Sequence, residues 1–358
     1  MVHVVLLIAC AVAIYLSCEW FVNAVEWLGQ RLNIGSMAVG TILAAFGTAL
    51  PESVVTLVAV TTGPTAEIRN IGVGAAMGGP LVLATVAYGV TGTMLLLRHR
   101  TRVHSRDLVT AGVGSLSLEP PAREPDDNSA AVLADPTHTA RLVKDQRWFM
   151  AVFVLKVALG LVAFTIKPWL GVLFFAVYGV YFCRQIRCGT ISEHDEELAP
   201  LKLQPGAVRP ATTAVLMQTL GALAVIFVSS QIFVHQLDAI GPMLGLSGAV
   251  TALLLSPIAT ELPEIMNAII WVRQGKTQLA LANISGAMMI QGTVPSGLGL
   301  LFTDWRLDHA LLWSGAITMA AITYLLMTMR ANKLTPTRLA LSALLYLAFA
   351  AGLVPILT

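Results

Sequence analysis

Apolar residues run along this chain in ten long blocks, each closed by polar or charged residues. Roughly 20 consecutive apolar residues are needed for a helix to cross the hydrocarbon of a bilayer. The blocks predict spans at about 4–27, 37–62, 70–97, 148–166, 169–186, 212–236, 243–272, 278–303, 309–329 and 337–357. The first lacks a basic segment ahead of its apolar stretch and is too long for a secretory leader, so it reads as a span. Two intervals break the pattern. Residues 98–147 open with RHRTRVHSRD and pass through EPPAREPDDNS, a composition that predicts a disordered cytoplasmic linker. Residues 187–211 carry EHDEE and three prolines and read as a solvated cytoplasmic loop.

Composition removes the soluble alternatives. The 358 residues are 56% hydrophobic and only 12% charged, with a mean hydropathy of +0.76; soluble domains are about 25% charged. The formal net charge is +2 and the basic residues are dispersed, which excludes a nucleic-acid surface. Cys10, Cys18, Cys183 and Cys188 lack CxxC spacing, so neither a disulfide scaffold nor a zinc site is expected. Charge then orients the spans. Eighteen of the twenty-two Lys and Arg fall in the loops after spans 1, 3, 5, 7 and 9. Arg69, Lys167 and Arg306 fall on the other face, and Lys156 lies inside span 4. Cytoplasmic loops carry the basic excess, so both termini are expected on the non-cytoplasmic side of what reads as the plasma membrane.

An internal repeat gives the spans a symmetry. An ungapped shift of 212 residues aligns GTALPE (47–52) with ATELPE (259–264). The same shift pairs Gly63 with Gly275, Thr65 with Thr277, Gly74 with Gly286, Ala75 with Ala287 and Met77 with Met289. Five spans per copy is an odd number, so the copies cross the membrane in opposite directions. The expected fold class is an all-α polytopic membrane protein, with ten transmembrane helices as two inverted five-helix repeats. Residues 1–97 hold spans 1–3 of the first repeat and 148–186 hold spans 4–5. Residues 212–303 hold spans 6–8 of the second repeat, and 304–358 hold spans 9–10. Inverted repeats with interrupted helices point to a transport site near mid-membrane.

The repeated motif places chemistry where structure alone would avoid it. Pro51 and Pro263 fall inside spans 2 and 7, where each removes a backbone donor. Glu52 and Glu264 follow directly, and a carboxylate at a helix centre costs on the order of 3 kcal/mol on insertion scales. Such residues are functional candidates unless they sit at the interface or pair with Lys156 or an Arg. Thr48 and Thr260 precede the glutamates by four positions, on the same helix face. Carboxylates, hydroxyls and kink-freed carbonyls suit hard cations such as Ca²⁺ or Na⁺, and no Cys/His cluster is present to attract softer metals.

These residues resemble the sodium/calcium exchanger superfamily of cation/Ca²⁺ antiporters. The resemblance covers about 30–90 and 243–303 together with the ten-span plan. The family's motif reads approximately GTSLPE, followed in the next span by GNxxGSNxxN. It implies that Glu52 and Glu264 coordinate the transported ion, with Thr48 and Thr260 beside them. The second half-motif is eroded. ANISGAMMIQ (282–291) keeps Asn283 and Gly286 but ends in Gln291, where the family uses Asn or Asp. In the first copy Ile71 and Gly79 stand at the two Asn positions, with Asn70 one residue out of register. The serine before LPE is Ala49 in one copy and Glu261 in the other, and the later serines are Ala75 and Ala287. Serines there help the family bind Na⁺, so their loss bears on sodium coupling. Glu261 lies three residues before Glu264 and can share its face. Two readings of it stand: a third site carboxylate that carries a proton in exchange for the cation, or a vestibule charge that attracts cations.

Other embedded polar residues have plainer roles. Glu19 and Gln231 occupy equivalent repeat positions, where Glu19 is either a gating residue or an interfacial carboxylate. His235 reads as interfacial, and the runs GVGAAMGG and PSGLGLLF suit close helix packing. No HExxH, Gly-x-Ser-x-Gly or nucleotide loop occurs, so no enzyme is expected. The expected function is secondary antiport of Ca²⁺ or a similar cation against Na⁺ or H⁺, with no bound cofactor. Its partners are inorganic cations and the bilayer, and its ligands are Glu52, Glu264, Thr48, Thr260, Glu261 and Gln291. The alternative is a non-transporting scaffold or sensor that keeps the fold around a degenerate ion site.

Overall fold

The computed structural model describes residues 2–62, 66–98, 133, 135–163, 166–188, 198–243, 245, 250–331 and 333–357, and all regular structure among them is helical. In chain order the helices are α1 Val2–Arg31, α2 36–62, α3 66–98, α4 Pro136–Leu161 and α5 Leu170–Cys188, then α6 Thr212–Met243, α7 250–273, α8 Thr277–Phe302, α9 His309–Arg330 and α10 Pro336–Ile356. Six of these described helices are long and apolar enough to cross a membrane, or eight if the bent α2 and α7 each count as one span. Ten spans are predicted, and the two helices outside the set differ for physical reasons. Helix α4 carries Lys144, Asp145, Arg147 and Lys156. Helix α8 carries Asn283, Ser285, Gln291, Thr293 and Ser296, all buried in the bundle where lipid does not reach.

Helix α8 is the axis of the core and packs against α2, α3, α4, α5 and α7. A Cβ on Gly286 would stand 2.2 Å from the Thr41 carbonyl oxygen and 2.6 Å from the Thr41 Cα, so α8 and α2 meet backbone to backbone. Close backbone packing of this kind holds helices together in lipid, where the hydrophobic effect no longer drives them. Helices α1 and α6 lie along one another at the edge of the bundle. Their outward residues Leu6, Ile8, Leu16, Met217, Leu220 and Val228 are between 41% and 69% exposed. A broad apolar exterior of this kind suits contact with acyl chains.

Contacts sort the helix ends into two groups. At one end Lys276 pairs with Glu26 at 2.5 Å, Arg98 donates to the Val272 carbonyl at 2.5 Å and Gln278 meets His138 at 2.7 Å. At the other end Lys167 donates to the carbonyls of Val162, Asp304 and Trp305 at 2.8, 2.9 and 2.9 Å, and the Leu307 amide donates to Gly160.

Two boundaries differ from the sequence expectation. Helix α4 begins at Pro136, twelve residues before the predicted start at 148, so 136–147 is helix and not linker. Asp135 caps it, accepting from the Thr137 hydroxyl at 2.5 Å and the Thr137 amide at 2.8 Å. These bonds hold its carboxyl below its ordinary pKa, and Pro136 takes the first helical position, where a missing N–H costs nothing. Of the predicted linker, 99–132 and residue 134 lie outside the described residues. The second correction concerns 187–211, of which 189–197 lie outside the description. Residues 198–211 are not a solvated tether but a strap across α1 and α6. Leu201 is fully buried with Ala24, Trp27, Ala214 and Val215. Asn23 donates to the Ala199 and Pro200 carbonyls at 3.3 and 3.2 Å. Its amide oxygen accepts from the Lys202 N–H and from Gln218, both at 3.0 Å. Trp27 donates to Ala199 at 2.9 Å, and Lys202 pairs with Glu19 at 3.1 Å.

Two predictions follow from this packing. Gly286→Ala forces backbones apart and should cost about 1–3 kcal/mol or more. Gly74→Ala, at the repeat-related position with nothing within 4 Å of the added Cβ, should leave the thermal unfolding midpoint unchanged or higher. Equal midpoints for the two variants would refute the contact. Asn23→Ala leaves several buried polar groups without partners and should loosen the strap by about 2 kcal/mol. Amide exchange at Lys202 and Leu203 should then quicken while α8 stays protected.

Candidate cation site

The site is built where α2 and α7 break. Helix α2 bends by 47° between Val39–Ala49 and Glu52–Thr61, and α7 bends by 51° between Leu253–Thr260 and Leu262–Arg273. Prolines at 51 and 263 cannot donate to the carbonyls of Gly47 and Ala259 four residues back, so each helix loses a rung at its centre. Ahead of each break lies a π-helical turn, Val39–Ala44 in α2 and Thr251–Leu255 in α7. These turns start at positions related by the same 212-residue shift as the LPE motifs. Composition gives no sign of them.

The breaks bring three carboxylates together. One oxygen from each of Glu52, Glu261 and Glu264 lies within 4.8 Å of the other two. Glu264 is fully buried, Glu261 is 1% exposed and Glu52 is half-buried. Gln291 of α8 donates through Nε2 to Glu52 and, at 2.7 Å, to Glu261 Oε1. Glu261 Oε2 and both Glu264 oxygens have no hydrogen-bond partner. None of the ion pairs recorded among the described residues reaches the cluster. At an effective dielectric of 20, two full charges 4.8 Å apart repel by about 3 kcal/mol. The cluster is therefore a place where positive charge is missing.

Each predicted ligand has a defined place. Thr48 is 1% exposed and lies beside the Glu264 carboxylate; its hydroxyl proton goes to the Ala44 carbonyl at 3.1 Å. The Thr260 hydroxyl donates to the Pro257 carbonyl at 3.1 Å. In both cases the proton is engaged and the oxygen lone pairs stay available. Gln291 turns its amide nitrogen, not its oxygen, toward two of the acids. Glu261 lies buried in the cluster with Glu52 and Glu264.

Lys156 does not neutralise the glutamates. Its ammonium donates to the Ala76 carbonyl at 2.7 Å and lies 4.5 Å from the Phe153 ring centroid. Ala76 precedes Pro80 of α3 by four residues, so the lysine caps a carbonyl that the proline leaves without its helical donor. Glu19 reaches Lys202 at 3.1 Å, with side chains 34% and 36% exposed. Gln231 and His235 are exposed. Asn267 was not singled out by the sequence. It is fully buried three residues beyond Glu264, with both amide atoms unpartnered. Its spacing, one turn along the same face, was the available signal. Asn283 donates to the Glu264 backbone carbonyl at 3.3 Å and steadies that turn.

Known proteins share this plan. The putative antiporter CaxA of Alkalimonas amylolytica is 25% identical over 337 residues, covering 93% of this chain and 92% of that protein. The inner membrane protein YrbG of Escherichia coli strain K12 is 26% identical over 305 residues, covering 85% of this chain and 81% of the other. Among solved structures, the sodium-calcium exchanger NCX_Mj soaked with Na⁺ and Ca²⁺ matches 99% of both chains with a TM-score of 0.70 at 17% identity, a likeness of fold. The family described as sodium/calcium exchanger protein matches residues 2–122 and 214–354, most of the chain on both sides of the central loops. This membrane protein belongs to the sodium/calcium exchanger family.

Proposed function

We propose that the chain is a secondary antiporter that moves Ca²⁺ or a similar divalent cation across the cell membrane in exchange for H⁺ or Na⁺. The observation that carries this reading is the trio Glu52, Glu261 and Glu264, buried at two helix breaks with no cation from the protein to balance it. Burying unpaired charge is costly, and a fold that had lost its transport role would gain by shedding these acids. A hard dication supplies the missing charge and prefers the oxygen ligands available here. Glu52 and Glu264 hold it, Glu261 adds a third carboxylate, and Thr48 and Thr260 offer hydroxyl oxygens. Gln291 bridges two of the acids in the empty site and gives way, or turns its oxygen inward, when the ion enters. Relatives named as a putative antiporter, an inner membrane protein and a sodium-calcium exchanger support the same reading.

Ten spans in two inverted five-helix repeats accommodate the architecture. The repeat-related breaks and π turns support the symmetry, and the two groups of end contacts support a consistent direction for every helix. The basic end is then cytoplasmic, and both termini lie outside. The paired α1 and α6, packed on one another at the rim, are placed to slide past the core and open the site to each face in turn. Family serines are replaced by Ala49, Ala75, Ala287 and Glu261, which removes hydroxyl ligands for Na⁺ and favours H⁺ as the exchanged ion.

Proteoliposome flux tests this directly. Ca²⁺ uptake should follow an imposed pH gradient, and Glu52→Gln and Glu264→Gln should each cut it by about tenfold or more, the loss of about 1.4 kcal/mol of binding. Flux unchanged in both variants would remove the site assignment, and uptake driven by Na⁺ but indifferent to pH would replace the proton. Thr48→Ala and Thr260→Ala should reduce uptake only severalfold, because neutral hydroxyl ligands contribute less than carboxylates.

A further inference from the structure

The shift that aligns the two repeats places Gly79 opposite Gln291 and Ala49 opposite Glu261. At both positions the second copy carries a long polar side chain and the first carries almost none. A Cβ on Gly79 would stand 2.5 Å from Glu261 Oε1, 2.7 Å from Gln291 Oε1 and 3.0 Å from Gln291 Cδ. The carboxylate and the carboxamide thus lie against bare backbone of α3, in the volume a side chain at 79 would fill. The neighbouring Gly78 serves the same approach, since a Cβ there would meet the Pro257 ring at 2.8 Å.

We propose that Gly79 is a specificity-determining residue: its missing side chain admits the Glu261 carboxylate, so the site's third negative charge crosses from the second repeat into the first repeat's share of the cavity. This rests on reading the cluster as a cation site. Glu261 and Gly79 then act as a compensated pair, in which one residue supplies the carboxylate and the other supplies the room for it. The pair sets selectivity. Each added carboxylate attracts a divalent ion twice as strongly as a monovalent one at equal distance, so the third acid favours Ca²⁺ over Na⁺.

The crowding at Gly79 differs in kind from that at Gly286. At Gly286 an added methyl meets backbone, whereas at Gly79 it meets only the far ends of two flexible side chains. Gly79→Ala should therefore fold with an unchanged unfolding midpoint and still displace Glu261.

Equilibrium binding of ⁴⁵Ca²⁺ to the purified full-length protein, with Na⁺ as competitor, tests the pair. Glu261→Ser should weaken Ca²⁺ by about tenfold or more and Na⁺ competition by less; Gly79→Ala should also weaken Ca²⁺. Gly79→Asp with Glu261→Ser returns a carboxylate from the opposite side and should recover affinity to within about threefold of the parent, a strong coupling between touching sites. If the double variant binds as weakly as Glu261→Ser while Glu52→Gln abolishes binding, the pairing is wrong and the cation site stands. If Glu52→Gln binds like the parent, the site itself is wrong. Should Gly79→Ala lower the unfolding midpoint, recovery in the double variant decides the question.

Discussion

Three carboxyl groups crowded inside a low-dielectric bundle are the constraint around which this molecule is arranged. Three carboxylates converge at two broken helices, and the amide of Gln291 donates to two of them. Both buried lysines are engaged elsewhere. Lys156, buried in the adjoining helix, is committed to a backbone carbonyl, and Lys167 is committed to three others at one end of the bundle. The packing of α8 against α2 through Gly286 fixes the distance between the helix that carries Gln291 and the helix that carries Glu52. Loosening that contact would draw Gln291 away from Glu52.

Both buried lysines show how a membrane bundle pays for its prolines and turns. A carbonyl without its helical donor is expensive in lipid, and a flexible amine can reach one that no backbone amide can. Lys156 and the Ala76 carbonyl form such a repair, placed four residues before Pro80. The interruptions at 51 and 263 have no lysine beside them among the recorded hydrogen bonds.

The legible parts of the structure were those written twice or written in runs. Mirrored LPE segments at a fixed shift single out Glu52 and Glu264 in the sequence alone, because a coincidence of proline and acid at matching positions is rare. Glu261 joined them through simple helical spacing. The start of α4 was also present in the sequence as Asp135-Pro136, a cap followed by a first-turn proline, but a search for apolar blocks passes over a helix whose opening turns are polar. Other features were hidden because they depend on residues distant in the chain. The strap at 198–211 is ordered by Asn23 and Gln218, which no local pattern links to it. The gap at Gly79 has meaning only once Glu261 is seen to fill it. Asn267 is one polar residue in an apolar run, and only its burial without partners sets it apart.

The π turns of α2 and α7 have a mechanical consequence. Each holds one residue more than an α turn, and releasing that residue into regular α-helix would rotate everything beyond it by about 100° and advance it about 1.5 Å along the axis. Beyond the turn in α2 lie Thr48 and Glu52; beyond the turn in α7 lie Glu261 and Glu264. Because the two turns are related by the repeat, such a step is available on either side of the carboxylate cluster. The carboxylates of one half could thus be turned by a screw motion of discrete pitch, independently of the other half, without any loop having to swing.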